Sequence, residues 1–324
     1  MRFHLDLNTG ISADAIRHRQ KLLLMGSCFT EHIGKRLVDL KFDVHTNPFG
    51  IVFNPESLQQ ALARLLENRP FRECDLMEHL DSWLSLETHT SLNKASKQEL
   101  LDTLNALVEA WHQHLKEADW LMLTFGSAYY YEYNASQRIV ANCHKLPAKC
   151  FTKKLADPLA IVDSYRTLLE KLRTFNPDLK IVFTVSPVKH LRDGVVENNL
   201  SKSVLTVAAH GIINATDSCS YFPAYELVND DLRDYRFYES DMAHPSQEAI
   251  DYVWQKFSGK YLEPEARPLL DRIASLNAAF RHRPLQGTTQ AFRDFKTAQL
   301  QKCLELKNEF PYLDLTKETD HFSQ

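Results

Sequence analysis

Four short apolar runs punctuate the chain, at residues 22–25, 42–46, 120–125 and 181–185. Each has the length of a strand. Between them lie longer stretches whose apolar residues recur every three to four positions, the order expected of parallel strands joined by crossover helices. After the first run Phe29, Ile33, Leu37 and Leu40 keep helical spacing, so a helix there lays one face on the sheet. Asn54-Pro55 supplies an N-cap and a first-turn proline for a helix burying Leu58, Leu62 and Leu65. Ser96 and Glu99 form a capping box for another through Leu104, Val108, Trp111 and Leu115. With the intervening residues 74–92, these two helices make an insertion of about residues 54–118 between the second and third strands. Asp157-Pro158 opens a helix carrying Ile161, Tyr165, Leu168 and Leu172, and Pro245 with Ser246 opens one carrying Ile250, Val253, Trp254 and Phe257. Residues 1–10 alternate as a strand would, through Phe3, Leu5 and Leu7. From about Pro264 two charged helical stretches, joined near residues 283–287, read as a hairpin. The expected fold is a three-layer α/β/α domain over residues 1–262 around a mostly parallel sheet. Its additions are the helical insertion and a helical extension over 263–324, and no internal repeat is evident.

At 324 residues and 44% apolar content the chain can bury a large core. A formal net charge of -4, with a pI near 6.4 and dispersed basic residues, leaves no electrostatic footprint for nucleic acid or an anionic membrane. A neutral or small polar substrate is expected. No apolar run approaches the roughly 18 residues that span a bilayer, and the first residues lack a signal core. The expectation is therefore a soluble, cytoplasmic protein. Cys28, Cys74, Cys143, Cys150, Cys219 and Cys303 show no C-x-x-C spacing, which fits reduced thiols better than disulfides or zinc. His112 and His114 face apart on their helix and no H-E-x-x-H occurs, so neither a metal nor another cofactor is expected.

Two short motifs carry the chemistry: Gly26-Ser27-Cys28-Phe29 directly after the first run, and Asp241-Met242-Ala243-His244-Pro245 before a helix. A serine becomes a nucleophile at neutral pH when an imidazole takes its proton, and the imidazole works best when a carboxylate fixes its tautomer. An Asp three residues before a His does this within one loop. A strand-to-helix turn exposes a serine oxygen and faces it with the positive end of the helix. Against this stands a purely structural reading, in which Ser27 is an N-cap and Asp241 and His244 are turn residues. Cys28 is a rival nucleophile, or a small residue of the helix's first turn. Asn142 and His144 lie in a third polar block, Ser186 and His190 follow the fourth strand, and Tyr129, Tyr130, Tyr131 and Tyr133 form an aromatic cluster that can stack on a sugar or fill the core.

With Thr30 in place of the usual Ala, residues 26–30 resemble the signature after which the GSCFA family is named, and that family belongs with the SGNH (GDSL-like) hydrolases. The resemblance continues in order through Asn47-Pro48-Phe49-Gly50-Ile51, Leu123-Thr124-Phe125-Gly126-Ser127-Ala128, Asn142-Cys143-His144-Lys145, Val185-Ser186-Pro187-Val188 with His190, and Asp241 to Pro245, over roughly residues 1–260. It implies an SGNH-hydrolase or flavodoxin-like fold with Ser27 as nucleophile, His244 as base and Asp241 as its orienter. Gly50 is the implied oxyanion donor of the second block. The third block usually reads Gly-x-Asn-Asp with an Asn donor, but Gly126-Ser127-Ala128-Tyr129 has none, leaving Asn142 or the backbone N–H of Ser127 as substitutes. One such donor is worth about 2.7–4 kcal/mol to a transition state. The implied activity is a serine esterase working through an acyl-enzyme on a small-molecule or glycan acyl ester, with a sugar O-acetyl group as substrate by fold-level analogy. Two alternatives stand beside it: a glycan O-acyltransferase with the same triad, and a noncatalytic module binding a glycan or protein. The insertion, at the carboxyl edge of the sheet, is the candidate for setting specificity.

Overall fold

Leu22 and Leu24 of β1 (Lys21–Gly26) pack into one apolar cluster while Leu23 and Met25 pack into another, so the strand is buried on both faces. That is why it reads as an unbroken apolar run instead of an alternating one. In this computed structural model, which describes residues 5–216, 218–282 and 289–323, the other strands are β2 (Asp43–Thr46), β3 (Met77–His79), β4 (Ser82–Leu84), β5 (Trp120–Phe125), β6 (Tyr129–Tyr133), β7 (Arg138–Val140), β8 (Phe151–Leu155), β9 (Lys180–Val185) and β10 (Cys219–Phe222). Five of them form the central sheet in the order β10-β9-β5-β1-β2, every pair parallel. The chain thus starts in the second position, steps outward to β2, and returns across β1 to β5. Loops leaving β1 and β5 diverge at this switch point and open a crevice at the carboxyl ends of the strands, where ligands of such sheets bind.

Helices α1 (Cys28–Asp39), α2 (Pro55–Leu66), α3 (Lys97–Glu117), α4 (Pro158–Phe175), α5 (Val195–Asn214), the single turn α6 (Ala224–Glu226) and α7 (Gln247–Tyr261) cover the sheet. Phe29, Ile33 and Leu37 of α1 share one core with Val253 and Phe257 of α7, while α2, α3, α4 and α5 build the core on the opposite face. The architecture is the expected three-layer α/β/α. The cap residues act as expected too: Asn54 accepts the Ser57 N–H at 2.8 Å and Asp157 accepts the Leu159 N–H at 2.9 Å. Ser96 accepts the Glu99 N–H at 3.4 Å, but the Glu99 carboxylate turns to Lys94 at 3.2 Å, so the capping box is only half formed.

Several features depart from the sequence expectation. Residues 5–10 form no strand, and Phe3 lies outside the described residues. The N–H groups of Asp6 and Leu7 are donated to the Asp231 carboxylate at 2.6 and 3.0 Å, so they join no ladder. The fifth sheet strand, β10, and α5 were not anticipated. The insertion carries the hairpin β3–β4 between its helices, and the tyrosine cluster forms β6, flanked by β7 and β8 in an antiparallel three-stranded sheet. The extension holds three helices, α8 (Arg267–Arg281), α9 (Gln290–Glu309) and α10 (Thr316–Ser323), around their own core of Ile273, Leu276, Cys303, Leu306 and Phe322. The expected joint at residues 283–287 lies outside the described residues.

Candidate active site

The end of β1 admits only glycine. Gly26 has φ +141°, and a Cβ there would stand 2.3 Å from the Thr124 carbonyl oxygen on the neighbouring β5. Its N–H is donated to Asn47 Oδ1 at 2.9 Å, which draws the second block of the sequence against the turn. Ser27 follows as the N-cap of α1. It is 3% exposed, its side chain caps no amide, and its hydroxyl has no hydrogen-bond partner among the described residues. An N-cap serine ordinarily contributes about 1 kcal/mol by accepting a first-turn N–H. Ser27 forgoes that and hides a polar group without compensation, so capping does not account for it. No backbone acceptor is found for its N–H among the described residues, and that N–H lies at the positive end of α1.

Asp241 and His244 lie together in the loop before α7. Asp241 Oδ1 accepts the backbone N–H groups of Ala243 at 2.9 Å and His244 at 3.0 Å, while Oδ2 accepts His244 Nδ1–H at 2.6 Å. The His244 backbone N–H above all, then its ring and the Ala243 N–H, hold the Asp241 carboxyl down at about 2. The ring is thereby fixed in the tautomer that leaves Nε2 free as a base. Both side chains are half exposed. Lys189 donates its backbone N–H to Ala243 O at 3.0 Å, joining this loop to the one after β9. His244 stands close enough to His32 of α1 and to His190 for its charge to bear on both. Among the described residues no hydrogen bond joins His244 to Ser27. Beside Ser27, burial pushes the Cys28 thiol up from its ordinary value, which keeps it protonated and a poor nucleophile.

The remaining sequence candidates divide by their partners. The Gly50 N–H is donated to Asn47 O at 2.9 Å inside a turn, and a Cβ at this residue would stand 2.4 Å from His89 Cβ. The glycine serves that close approach, and its amide is not free for an oxyanion. The N–H groups of Gly126 and Ser127 both point to Phe53 O, at 2.7 and 3.4 Å. Asn142 Oδ1 accepts the His144 N–H at 2.8 Å, and buried His144 bonds Thr88 O through Nε2 at 2.9 Å, so this block ties the loop after β7 to the insertion. Burial lowers the His144 proton affinity. Ser186 and His190 do stand at the carboxyl edge. His190 stacks on Phe53 with ring centroids 5.0 Å apart, and burial, helped by Lys202 and His244, brings it down to about 4. His112 and His114 face apart: the first bonds Leu65 O and the second stacks on His45.

One group escaped the sequence reading. Asn198, Ser201 and Lys202 lie buried on the inner face of α5 and hold the loops around Ser186 and Ser127. The available signal was Lys202 at helical spacing from Leu205, Ala209 and Ile212, a charged residue on an otherwise apolar stripe.

The chain belongs to the GSCFA family, whose pattern matches residues 21–257, and residues 273–324 match the GSCFA domain protein, C-terminal domain. No curated protein matches the chain. Among solved structures it is similar to a carbohydrate esterase family 3 from Talaromyces cellulolyticus, with 9% identity over 78% of this chain and 98% of that one and a TM-score of 0.34. It is also similar to an acetyl xylan esterase from the rumen bacterium Butyrivibrio proteoclasticus, with 13% identity over 79% of this chain and 65% of that one and a TM-score of 0.38. Likenesses this distant carry no argument about activity.

Proposed function

We propose that this member of the GSCFA family is a serine esterase in which Ser27, His244 and Asp241 act as a triad. The observation that carries the reading is the 2.6 Å hydrogen bond from His244 Nδ1–H to an Asp241 carboxylate already held by two backbone amides. It orients an imidazole with Nε2 available, at the edge of the sheet where Ser27 keeps a hydroxyl with no structural task. As substrate uncovers the buried Ser27, Nε2 takes the hydroxyl proton and Oγ attacks the ester carbonyl. The tetrahedral intermediate collapses to an acyl-serine as the imidazolium returns the proton to the leaving alcohol. Water, deprotonated by the same imidazole, then releases the acid. The Ser27 N–H and the N-terminus of α1 supply the oxyanion's stabilisation, since the Gly50, Gly126 and Ser127 amides are committed elsewhere.

The substrate class we assign is a short acyl ester, with a sugar O-acetyl group as the first to test. Hydrolysis is favoured over transfer to a glycan because His244 is half exposed to water, which a transferase must exclude. The six cysteines are free thiols, in keeping with a reducing compartment such as the cytoplasm, and no helix among the described residues is long and apolar enough to cross a membrane. The committed amides, with the Asn missing after Gly126, favour a second reading as a noncatalytic glycan-binding module. Turnover of acetylated sugars by wild type and Ser27→Ala separates the two. The esterase reading expects turnover that vanishes in the variant, while full turnover in Ser27→Ala, or none in wild type together with glycan binding, contradicts it.

A further inference from the structure

Helix α5 carries polar residues on its buried face, beside Leu205, Ala208, Ala209 and Ile212. Val196 is 75% exposed and Leu200 and Val207 are also exposed, whereas Asn198, Ser201 and Lys202 are buried. Spaced by three and four residues, these three lie on one face, and each holds a backbone group at the carboxyl edge of the sheet. Asn198 Oδ1 accepts the His190 N–H at 2.8 Å. The Ser201 hydroxyl accepts the Ala128 N–H at 2.8 Å. Lys202 Nζ donates to Gly126 O at 2.6 Å and to Ser186 O at 2.7 Å, bridging the first residues beyond β5 and β9.

The strand register sets the level of that bridge. Gly26 lies opposite Thr124, and Thr124 opposite Thr184. Two residues beyond that row come Gly126 and Ser186, and Lys202 lies close enough to Cys28, the residue after Ser27, for its charge to bear on that thiol, so the lysine's acceptors sit beside the Ser27–Cys28 turn. Lys202 is 1% exposed and, among the described residues, pairs with carbonyl oxygens and no carboxylate, although buried charges are ordinarily paired. The titratable groups around it are Cys28 from α1, His190 from the loop after β9, and Tyr225 of α6, whose ring centroid is 5.8 Å from Nζ. None of these supplies a fixed negative charge.

We infer that Lys202 is a positioning residue of the Ser27 site, tying the loop after β5 to the loop after β9 and placing an uncompensated positive charge beside the turn where an oxyanion would form. The inference rests on the esterase reading above. An anion developing beside Ser27 meets a cation that nothing else neutralises, and the cation is already in place before the reaction. Burial, opposed by Cys28, brings Lys202 down to about 7, so its charge is lost on the alkaline side of neutrality.

The test is the rate at which a small fluorophosphonate labels wild type, Lys202→Met and Ser201→Ala, followed from about pH 6 to about pH 9 with folding checked by circular dichroism. Wild type is expected to lose rate as pH rises beyond about 7. Lys202→Met is expected to label roughly tenfold to a hundredfold more slowly at neutral pH, with that alkaline fall abolished. Ser201→Ala, which loosens the loop and keeps the charge, is expected to slow labelling while retaining the fall. A folded Lys202→Met that labels at the wild-type rate across the range overturns the inference and leaves Ser27 a nucleophile. If Lys202→Met does not fold, Lys202→Gln, which can still donate to Gly126 O and Ser186 O without the charge, takes its place, and labelling at the wild-type rate across the range overturns the inference equally. Wild type that takes no adduct at all defeats the esterase reading itself, and Lys202 loses its role with it.

Discussion

At the scale of single residues, Ser27 offers a test that separates structure from chemistry. A capping serine contributes about 1 kcal/mol, yet Ser27 makes no cap bond and buries an unpartnered hydroxyl. Ser27→Ala is therefore expected to leave stability unchanged or to raise it slightly in urea denaturation while abolishing turnover. A loss of about 1 kcal/mol would mark the residue as an ordinary cap. Asp241→Asn keeps the loop's shape but cannot hold the same imidazole tautomer, and ester turnover is expected to fall roughly 10⁴-fold. Gly26→Ala combines a left-handed backbone with a Cβ driven into the Thr124 carbonyl, and should cost about 3 kcal/mol or more in the same denaturation experiment. The pairing of Asp241 with His244 was legible because a spacing of three residues puts an acid beside a base within one loop. Gly50 misled because a glycine required for close packing against His89 looks, in sequence, like one offering its amide. Lys202 was missed because a lysine in a helix is ordinarily solvated, even where, as here, it shares the spacing of Leu205, Ala209 and Ile212.

At the scale of elements, the sequence revealed strands buried on both faces and helices with clear caps. Asn54→Ala is expected to cost about 1 kcal/mol of stability, since Asn54, unlike Ser27, accepts its helix's first-turn N–H. The elements that escaped are those whose pattern is blurred by their position. Helix α5 exposes Val196, Leu200 and Val207 and buries three polar residues beside Leu205, Ala209 and Ile212, so its apolar stripe is blurred. Strand β10, at the edge of the sheet, reads Cys219-Ser220-Tyr221-Phe222 with only Phe222 fully buried, and gives no apolar run. The tyrosines of β6 are half-buried in a small antiparallel sheet, and Lys153 lies 4.0 Å over the Tyr129 ring, a setting in which aromatic content alone does not specify a strand.

At the scale of the whole molecule, the extension is a satellite core fastened to the α1–β2 side of the domain. Asn277 donates to Asp39 O, and Lys41 Nζ meets the Glu318 carboxylate at 2.7 Å with Glu318 largely buried. Lys41→Ala would leave that carboxylate unpaired, at a cost of about 2 kcal/mol read as a lowered Tm. Stability also carries the imprint of Lys202. Its folded value of about 7 lies below the ordinary 10.5, so between the two the unfolded chain binds the extra proton and this residue's contribution to stability rises with pH. Subtracting the pH profile of Lys202→Met from that of wild type should show this rise, and a flat difference would mean that burial does not lower the lysine's proton affinity. The central claim is that Ser27 is an acylatable nucleophile activated by His244. The most direct measurement is intact mass after exposing wild type, Ser27→Ala and Cys28→Ala to a fluorophosphonate. The account predicts a single adduct on wild type and Cys28→Ala and none on Ser27→Ala, whereas folded wild type without an adduct, or an adduct that survives in Ser27→Ala, would contradict it.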